Sequence, residues 1–420
     1  MTKTQKLADS AGNYRTSYFL FLLFACFFIN SLKAQTPGLI VRDGAGNIPK
    51  QNISAALDPN SDGYTSANNA GFSGSDLGTN SELVFRAIPV PTVEPGGDLR
   101  RGADQRFSEL VPDENNYSVY VLATASNLIA RFRVGDIMPG SKGYSLMIDA
   151  DGLFGPADPT YTAANPGFEY ELVYETNFRV VIYNVNSGTS ATVVQSYDLL
   201  TNPQHAQTSV ALTTNGGNAD YFLDFYAPLS AFTGAGAITS STPLRFNATT
   251  VMSPSGAIFG PSSDIMGDDD QYKSPVDQWY IGIIAQPPCS PAQMAAGTCP
   301  TGICTSAPVL NTGILSTATS ISGTWTKASY SPQSTATITV YKNGSVLGTV
   351  TGVTSGSTWT LNGVSGLVNG DIISARAQAT AESMCEESNK VVVSSCTPAT
   401  TSACPVKTSA CDGRGFSGTG

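Results

Sequence analysis

Almost all the side chains in this sequence that could do chemistry are carboxylates. The single histidine, His205, lies in the polar stretch TNPQHAQT, so a histidine general base, a Cys–His nucleophile or a multi-histidine metal site has almost no material. The first carboxylate group is DPNSDGYTS, in which Asp58, Asn60 and Asp62 alternate, Gly63 permits a sharp turn, and the Tyr64 carbonyl and Ser66 follow. That is the first half of a calcium loop, because a hard cation takes about six to eight oxygens and this spacing wraps them around one centre. The twelfth position is Asn69, so a bidentate carboxylate would have to come from Asp76 or Glu82. An ordinary Asx-rich turn has the same composition.

The second group is Asp149-Ala150-Asp151-Gly152, followed by Asp158 and by a strand carrying Glu169 and Glu171. Carboxylates gathered at neighbouring strand ends repel one another unless a cation neutralises them or water screens them. Asp149, Asp151, Asp158 and Glu169 are therefore a second candidate set for Ca²⁺. Two of Asp149, Asp151, Glu169 and Glu171 could instead act as a glycosidase pair, and a solvated acidic face is the plainer alternative. The third group, SSDIMGDDDQYKSPVDQW, sets Asp264 and further aspartates beside Tyr272 and Trp279. Aromatic faces stack on sugar C–H groups and carboxylates accept hydroxyl protons, so Asp264, Tyr272 and Trp279 are candidate ligand-binding residues. A solvated loop leading into a strand anchored by a buried Trp279 fits the same residues.

The elements that would position these groups read as strands. The chain has 420 residues, 41% apolar and only 13% charged, with 41 Gly and 25 Pro, which excludes a coiled coil or simple helical bundle. Period-2 or β-branched runs cover 117–124, 127–134, 144–150, 168–175, 178–185, 220–228, 244–252 and 279–285, and no run shows sustained helical spacing. In FEYELVYE the alternation places Phe168, Tyr170, Leu172 and Tyr174 on one face and Glu169, Glu171, Val173 and Glu175 on the other. Shorter strands follow at 319–326, 335–342, 345–352, 357–364, 371–379 and 389–395, with Asn343-Gly344 as a tight-hairpin signal. The predicted fold is all-β: a large antiparallel β-sandwich over 35–288 and a smaller immunoglobulin-like β-sandwich over 308–395, its core filled by Trp325 and Trp359.

Residues 1–34 read as a signal peptide. Lys3, Lys6 and Arg15 precede an apolar run from Tyr18 to Ile29, and Ala34/Gln35 forms the cleavage boundary. Cys26 offers the alternative of a lipid-modified cysteine. The chain has 22 basic and 32 acidic residues, a net charge of −10. Removal of the signal makes the mature chain more acidic still, and nucleic acid is excluded as a partner. No second apolar stretch approaches membrane-spanning length, so the mature chain carries no transmembrane segment and is expected outside the cell or on its outer surface.

Cysteine marks the domain boundary. Of eight cysteines, seven lie from Cys289 onward, none at the two-residue separation of a zinc knuckle, so disulfides are expected in an exported protein. CSPAQMAAGTCPTGIC (Cys289 to Cys304) returns as CTPATTSACPVKTSAC (Cys396 to Cys411), which makes 289–307 a cysteine-bearing linker and 396–420 the start of a second one, with further domains of the same protein downstream. The expected pairs are Cys289–Cys299, Cys304–Cys385 and Cys396–Cys404, leaving Cys411 for the next module.

The stretches NLIARFRVGDIMPGSKGYSLMIDADGLFG and NPGFEYELVYETNFRVVIYNV, with the SDIMGDDDQY loop, resemble the N-terminal sandwich of large secreted multidomain surface proteins of Bacteroidetes-type bacteria, a domain similar to family 9 carbohydrate-binding modules. VYKNGSVLGTVTG, STWTLNGV, GDIISARAQA and CEESNKVVVS are similar to the bacterial immunoglobulin-like repeats that follow such domains. The resemblance implies an exported adhesin or glycan-binding surface protein, often carrying a sorting domain for type IX secretion. The leading expectation is a non-catalytic surface protein, Ca²⁺-stabilised, whose partner is an extracellular glycan or surface protein. A carboxylate-based glycan hydrolase and a purely structural spacer are the rivals.

Overall fold

The computed structural model describes residues 37–41, 54–65 and 83–395, apart from 93, 105, 138–139, 188, 235, 268–273, 330 and 386. Ser66, Tyr272, Cys396, Cys404, Cys411 and the signal segment lie outside the described residues. In chain order the first part contains β1 (Arg86–Ala87), β2 (Val119–Ala123), β3 (Asn127–Val134), β4 (Gly143–Asp149), β5 (Tyr170–Glu175), β6 (Arg179–Asn184), β7 (Thr192–Asp198), β8 (Ala206–Val210), β9 (Tyr221–Pro228), β10 (Arg245–Val251) and β11 (Ser262–Ile265). Two helices follow, α1 (Pro275–Ile284) and α2 (Pro291–Ala295). The second part holds β12 (Cys304–Thr305), β13 (Val309–Leu310), β14 (Ser320–Trp325), β15 (Thr335–Lys342), β16 (Ser345–Thr354), β17 (Ser357–Asn362), β18 (Ile372–Ala379), β19 (Ser383–Met384) and β20 (Val391–Val392).

The all-β reading holds. A five-stranded sheet, β1-β2-β3-β9-β8, faces a six-stranded sheet, β11-β10-β4-β5-β6-β7, and every pairing in both is antiparallel. Alternate residues meet between them: Val121, Phe132 and Phe225 from one sheet pack with Tyr144, Leu146, Leu172 and Tyr174 from the other. Phe132 and Phe225 approach Tyr144 and Tyr174 at centroid distances of 6.0 and 5.7 Å. The second sandwich packs β13-β14-β17 against β16-β15-β18-β20, with Trp325 and Trp359 buried in its core. Asn343 and Gly344 turn between β15 and β16 at φ of 51° and 82°, the positive values a two-residue hairpin loop needs.

One element was misread. The run WYIGIIA, expected as a strand, belongs to α1: Ser274 accepts a hydrogen bond from the Asp277 amide, Pro275 opens the first turn and Asp277 favours the positive end of the helix dipole. These start signals outweigh the β-branched residues because the helix lies across the outer face of the six-stranded sheet, where any apolar run gains from burial. Phe168 also departs from its expected face. It precedes β5 and packs with Phe154 and Trp279 on the outer side.

The cysteine segment 289–307 is docked rather than loose. Cys289 is fully buried, bridges Leu244 through the backbone, and joins the core of the first sandwich together with Met294 of α2. Disulfides Cys289–Cys299 and Cys304–Cys385 are both present, the second tying β12 to the segment that follows β19.

The outer face of the five-stranded sheet buries charge by pairing it. Arg131 Nε and Nη2 donate to the two carboxylate oxygens of Asp224 at 2.7 and 2.9 Å, while the guanidinium lies between the rings of Phe85 and Phe222, 4.1 and 4.2 Å from their centroids. Gln207 and Thr65 also donate to Asp224. Truncating one partner of such a pair leaves the other charge buried, so Asp224→Asn should lower unfolding free energy by about 3–5 kcal/mol in urea titrations.

His205 closes one side of the sandwich. Its ring is stacked between Tyr197 of β7 and Tyr226 of β9, at 3.8 and 4.4 Å, and Nδ1–H donates to the Tyr226 carbonyl at 3.0 Å. Burial holds its pKa below the usual 6.5, against the opposing pull of that hydrogen bond. The unfolded chain therefore binds this proton more readily, and the contribution of the neutral ring is lost as pH falls below the unfolded value. The difference in stability between wild type and His205→Gln should shrink on acidification below pH 6.5, measured by paired urea melts across pH; a difference that stays constant would contradict it.

Candidate metal centre

The residues of the second carboxylate group come together where β4 ends and β5 is about to begin. The backbone of Glu169 donates to Ile148, continuing the β4–β5 ladder beyond β5, and this sets its side chain beside Asp149. The intervening excursion, 150–168, folds back on both. Ala150 N–H donates to Glu169 Oε2 at 2.6 Å, Gly152 N–H to Asp149 Oδ1 at 2.9 Å, and Leu153 N–H to Asp151 Oδ1 at 2.7 Å. Asp149, Asp151 and Glu169 each offer an oxygen within 4.8 Å of the others. Asp149 and Glu169 are 0% and 1% exposed, and Asp151 faces solvent.

Charge here is not balanced. Among the described residues the cation in the cluster is Arg245, opposite Asp149 on β10, whose Nη2 lies 2.6 Å from Asp149 Oδ2. Glu169 Oε1 is buried with no hydrogen-bond partner among the described residues, and so is Asp158 Oδ2. Asp158 stands beside the three rather than among them, its Oδ1 taken by the amide and hydroxyl of Thr160 at 2.6 and 2.7 Å. Burial pushes Glu169 up to about 9, and the negative charges of Asp149, Asp151 and Asp158 push the same way against the Ala150 hydrogen bond. Burial also raises Asp149, opposed chiefly by Arg245. Two glycines admit this crowding: a Cβ on Gly236 would lie 2.9 Å from Glu169 Cγ, and one on Gly167 2.6 Å from Asp158 Oδ2.

Glu171, the fourth residue of the expected hydrolase set, is separate. It is fully buried, its Oε1 accepting from Ser145 Oγ and the amides of Ala257 and Ile258 at 2.7, 2.6 and 3.0 Å, and burial raises its pKa. Two grooves of the surface are lined by other residues. A 670 Å³ groove runs between Leu83, Leu122 and Met294, and a 640 Å³ one lies by Arg100, Arg101 and Pro261.

The first candidate loop keeps its Gly63 turn at φ +87° but closes on itself. Asn60 Nδ2 donates to Asp62 Oδ2, Asp62 N–H to Asn60 Oδ1, and Tyr64 N–H to Asp62 Oδ1, at 3.0, 3.2 and 2.8 Å. Asp58 is buried and Asp62 exposed, and Ser66, Asp76 and Glu82 lie outside the described residues. The expected sugar platform is corrected. Trp279 is 2% exposed in the contact between α1 and the sheet, with Nε1 donating to Thr249 Oγ1 at 3.0 Å, so its face cannot meet a ligand. Asp264 lies in β11, fully buried, and accepts from the Leu110 amide at 2.6 Å. It belongs instead to a second buried acidic cluster with Glu94 and Asp98. That cluster had no local signature, because Glu94 and Asp98 lie in a turn far from β11 in the chain.

No family model matches the chain, and no curated protein does. Solved structures overlap it weakly. A biofilm-associated protein BSP domain shares 13% identity over 68% of each chain with a TM-score of 0.13. The FN1-FN3 domains of chicken CNTN1 share 9% identity over 65% of this chain and 62% of theirs, TM-score 0.17. A beta-1,2-glucanase from Parabacteroides distasonis shares 13% over 76% of this chain and 39% of the enzyme, TM-score 0.16. Superpositions at these scores carry no functional inference, and the site must be read from its own chemistry.

Trp279→Phe removes one buried donor and leaves the Thr249 hydroxyl without it. It should cost about 1–3 kcal/mol of stability in urea titrations while leaving binding to any surface ligand unchanged; lost binding at preserved stability would return Trp279 to a ligand site.

Proposed function

We propose that this chain is an exported, non-catalytic surface protein that uses two β-sandwiches to hold contact surfaces outside the cell, in adhesion to a surface protein or glycan. One observation supports the non-catalytic part: of the four acids expected to form a glycosidase pair, Asp149, Glu169 and Glu171 are buried and Asp151 alone reaches solvent. Glycosidase pairs flank a sugar across an open cleft, about 5–9.5 Å apart. Here Asp149 and Glu169 sit side by side, one oxygen of each within 4.8 Å of the other, and Glu171 gives its Oε1 to Ser145 and two backbone amides while its Oε2 is buried with no hydrogen-bond partner among the described residues.

Export is supported by chemistry independent of the signal segment. Disulfides such as Cys289–Cys299 and Cys304–Cys385 persist in oxidising compartments and are rare where thiols are kept reduced. No helix among the described residues is long and apolar enough to cross a membrane. The acidic surface implied by the composition favours solubility over unspecific association with the negatively charged cell envelope.

Purified protein from Gln35 onward should be retained on arrays of extracellular matrix proteins or glycans while releasing no reducing ends from any polysaccharide in a parallel assay. Retention on neither array would leave a spacer. Turnover abolished by Asp149→Asn or Glu171→Gln would make the chain an enzyme.

A further inference from the structure

We propose that the chain holds one Ca²⁺ ion between Asp149, Asp151 and Glu169, with Asp158 alongside, and that this ion fastens the 150–168 excursion to the strand ends. The inference stands apart from the adhesive reading, since an adhesin and a bare spacer would use the ion alike.

Three features point to a cation rather than to a tolerated crowd of acids. The first is the oxygen of Glu169 that no described residue satisfies: the side chain is 1% exposed, its Oε2 holds Ala150 N–H, and Oε1 is left bare inside the cluster. A bare carboxylate oxygen at that depth is costly unless something positive meets it. Second, the spacing suits a calcium shell. Ca–O bonds of about 2.3–2.6 Å allow ligand oxygens to stand up to roughly 4.6–5.2 Å apart across the ion, and the three oxygens here fall within 4.8 Å. Third, the donors are all hard oxygens with no histidine or thiol nearby, which selects Ca²⁺ or Mg²⁺ over zinc. Ligands drawn from two strand ends and a long loop fit the adaptable calcium shell better than the strict octahedron of Mg²⁺.

The elements around the cluster show what the ion would do. Between Asp149 and Glu169 the chain leaves the sheet and returns, anchored by Gly155 N–H to the Pro166 carbonyl, by the Asn165 side chain on the Phe168 and Val185 carbonyls and the Gly167 and Phe168 amides, and by Phe154 and Phe168 packed with Trp279. Arg245 holds one carboxylate and reaches the Gly152 carbonyl at 3.2 Å, but it leaves Glu169 Oε1 untouched. An ion there would, together with Arg245, balance the charge of the three acids and fix the loop that lays Phe154 against Phe168 and Tyr280. Asp151 faces solvent and gives the ion its way in.

The rival is a shared proton, with Glu169 remaining a neutral acid. Titration calorimetry and thermal melting of chelator-treated protein with CaCl₂ separate the two. The expected result is one ion per chain, a melting temperature raised by roughly 5–10 °C at a hundredfold excess over Kd, and slower hydrogen exchange at 150–168. Both Glu169→Gln and the solvent-exposed Asp151→Asn should lose the shift, while Asp62→Asn, in the first loop, keeps it. No calcium-dependent heat or shift in the wild type would overturn the proposal. So would a shift that survives in Asp151→Asn and Glu169→Gln, which would put the ion elsewhere.

Discussion

The outer face of the six-stranded sheet carries more buried negative charge than the protein supplies positive charge to meet. On the opposite sheet the chain solves the same problem by pairing: Arg131 donates to both oxygens of Asp224, and Arg133 lies 3.6 Å from Asp220. At the head of β5 a single arginine answers Asp149, and Glu169 is sealed in with one oxygen unmet. A buried carboxylate either takes up a proton or finds a cation, because the low-polarity interior penalises the free charge severely. The path of the 150–168 excursion, the glycines pressed against Glu169 and Asp158, and the depth of the cluster are consistent with the second solution.

The same constraint bears on function. Acids useful to a hydrolase need a cleft, water and a substrate between them; acids useful to a scaffold need burial and partners. Glu171 shows the structural use plainly, since Ser145, Ala257 and Ile258 consume one of its oxygens under the loop that leads to β11. In the proposed adhesive reading, contact with other molecules falls to the sandwich surfaces and loops. The disulfides add mechanical closure at the boundary, where Cys289 is built into the first core and Cys304 is clamped to Cys385 within the second part.

Much of this was legible in the sequence where local rules dominate. β3 and β15 begin and end where alternation placed them, and Asn343-Gly344 turned as two residues tolerant of positive φ must. The pairs Cys289–Cys299 and Cys304–Cys385, expected as one of the fifteen connectivities that six cysteines permit, are both formed. The meeting of Asp149 and Glu169 was also within reach, because an antiparallel return from β4 to β5 brings their strand ends together. What escaped depended on tertiary contacts. WYIGIIA looks like a strand by residue type, yet the Ser274 cap and the apolar sheet face beneath it make a helix, and Trp279 goes into the core with it. Glu94, Asp98 and Asp264 converge from segments with no shared periodicity. In DPNSDGYTS, Asn60 and Asp62 hydrogen-bond one another, as in the Asx-rich turn that the same spacing allows.

The most direct measurement is a crystal structure of the calcium-soaked protein with anomalous data collected at long wavelength. The account expects one anomalous peak at Ca–O distances of about 2.3–2.6 Å from Glu169 Oε1, Asp149 and Asp151, with Arg245 still bonded to Asp149. A site that stays empty at saturating calcium, with Glu169 instead donating a proton to a neighbouring carboxylate, would contradict it.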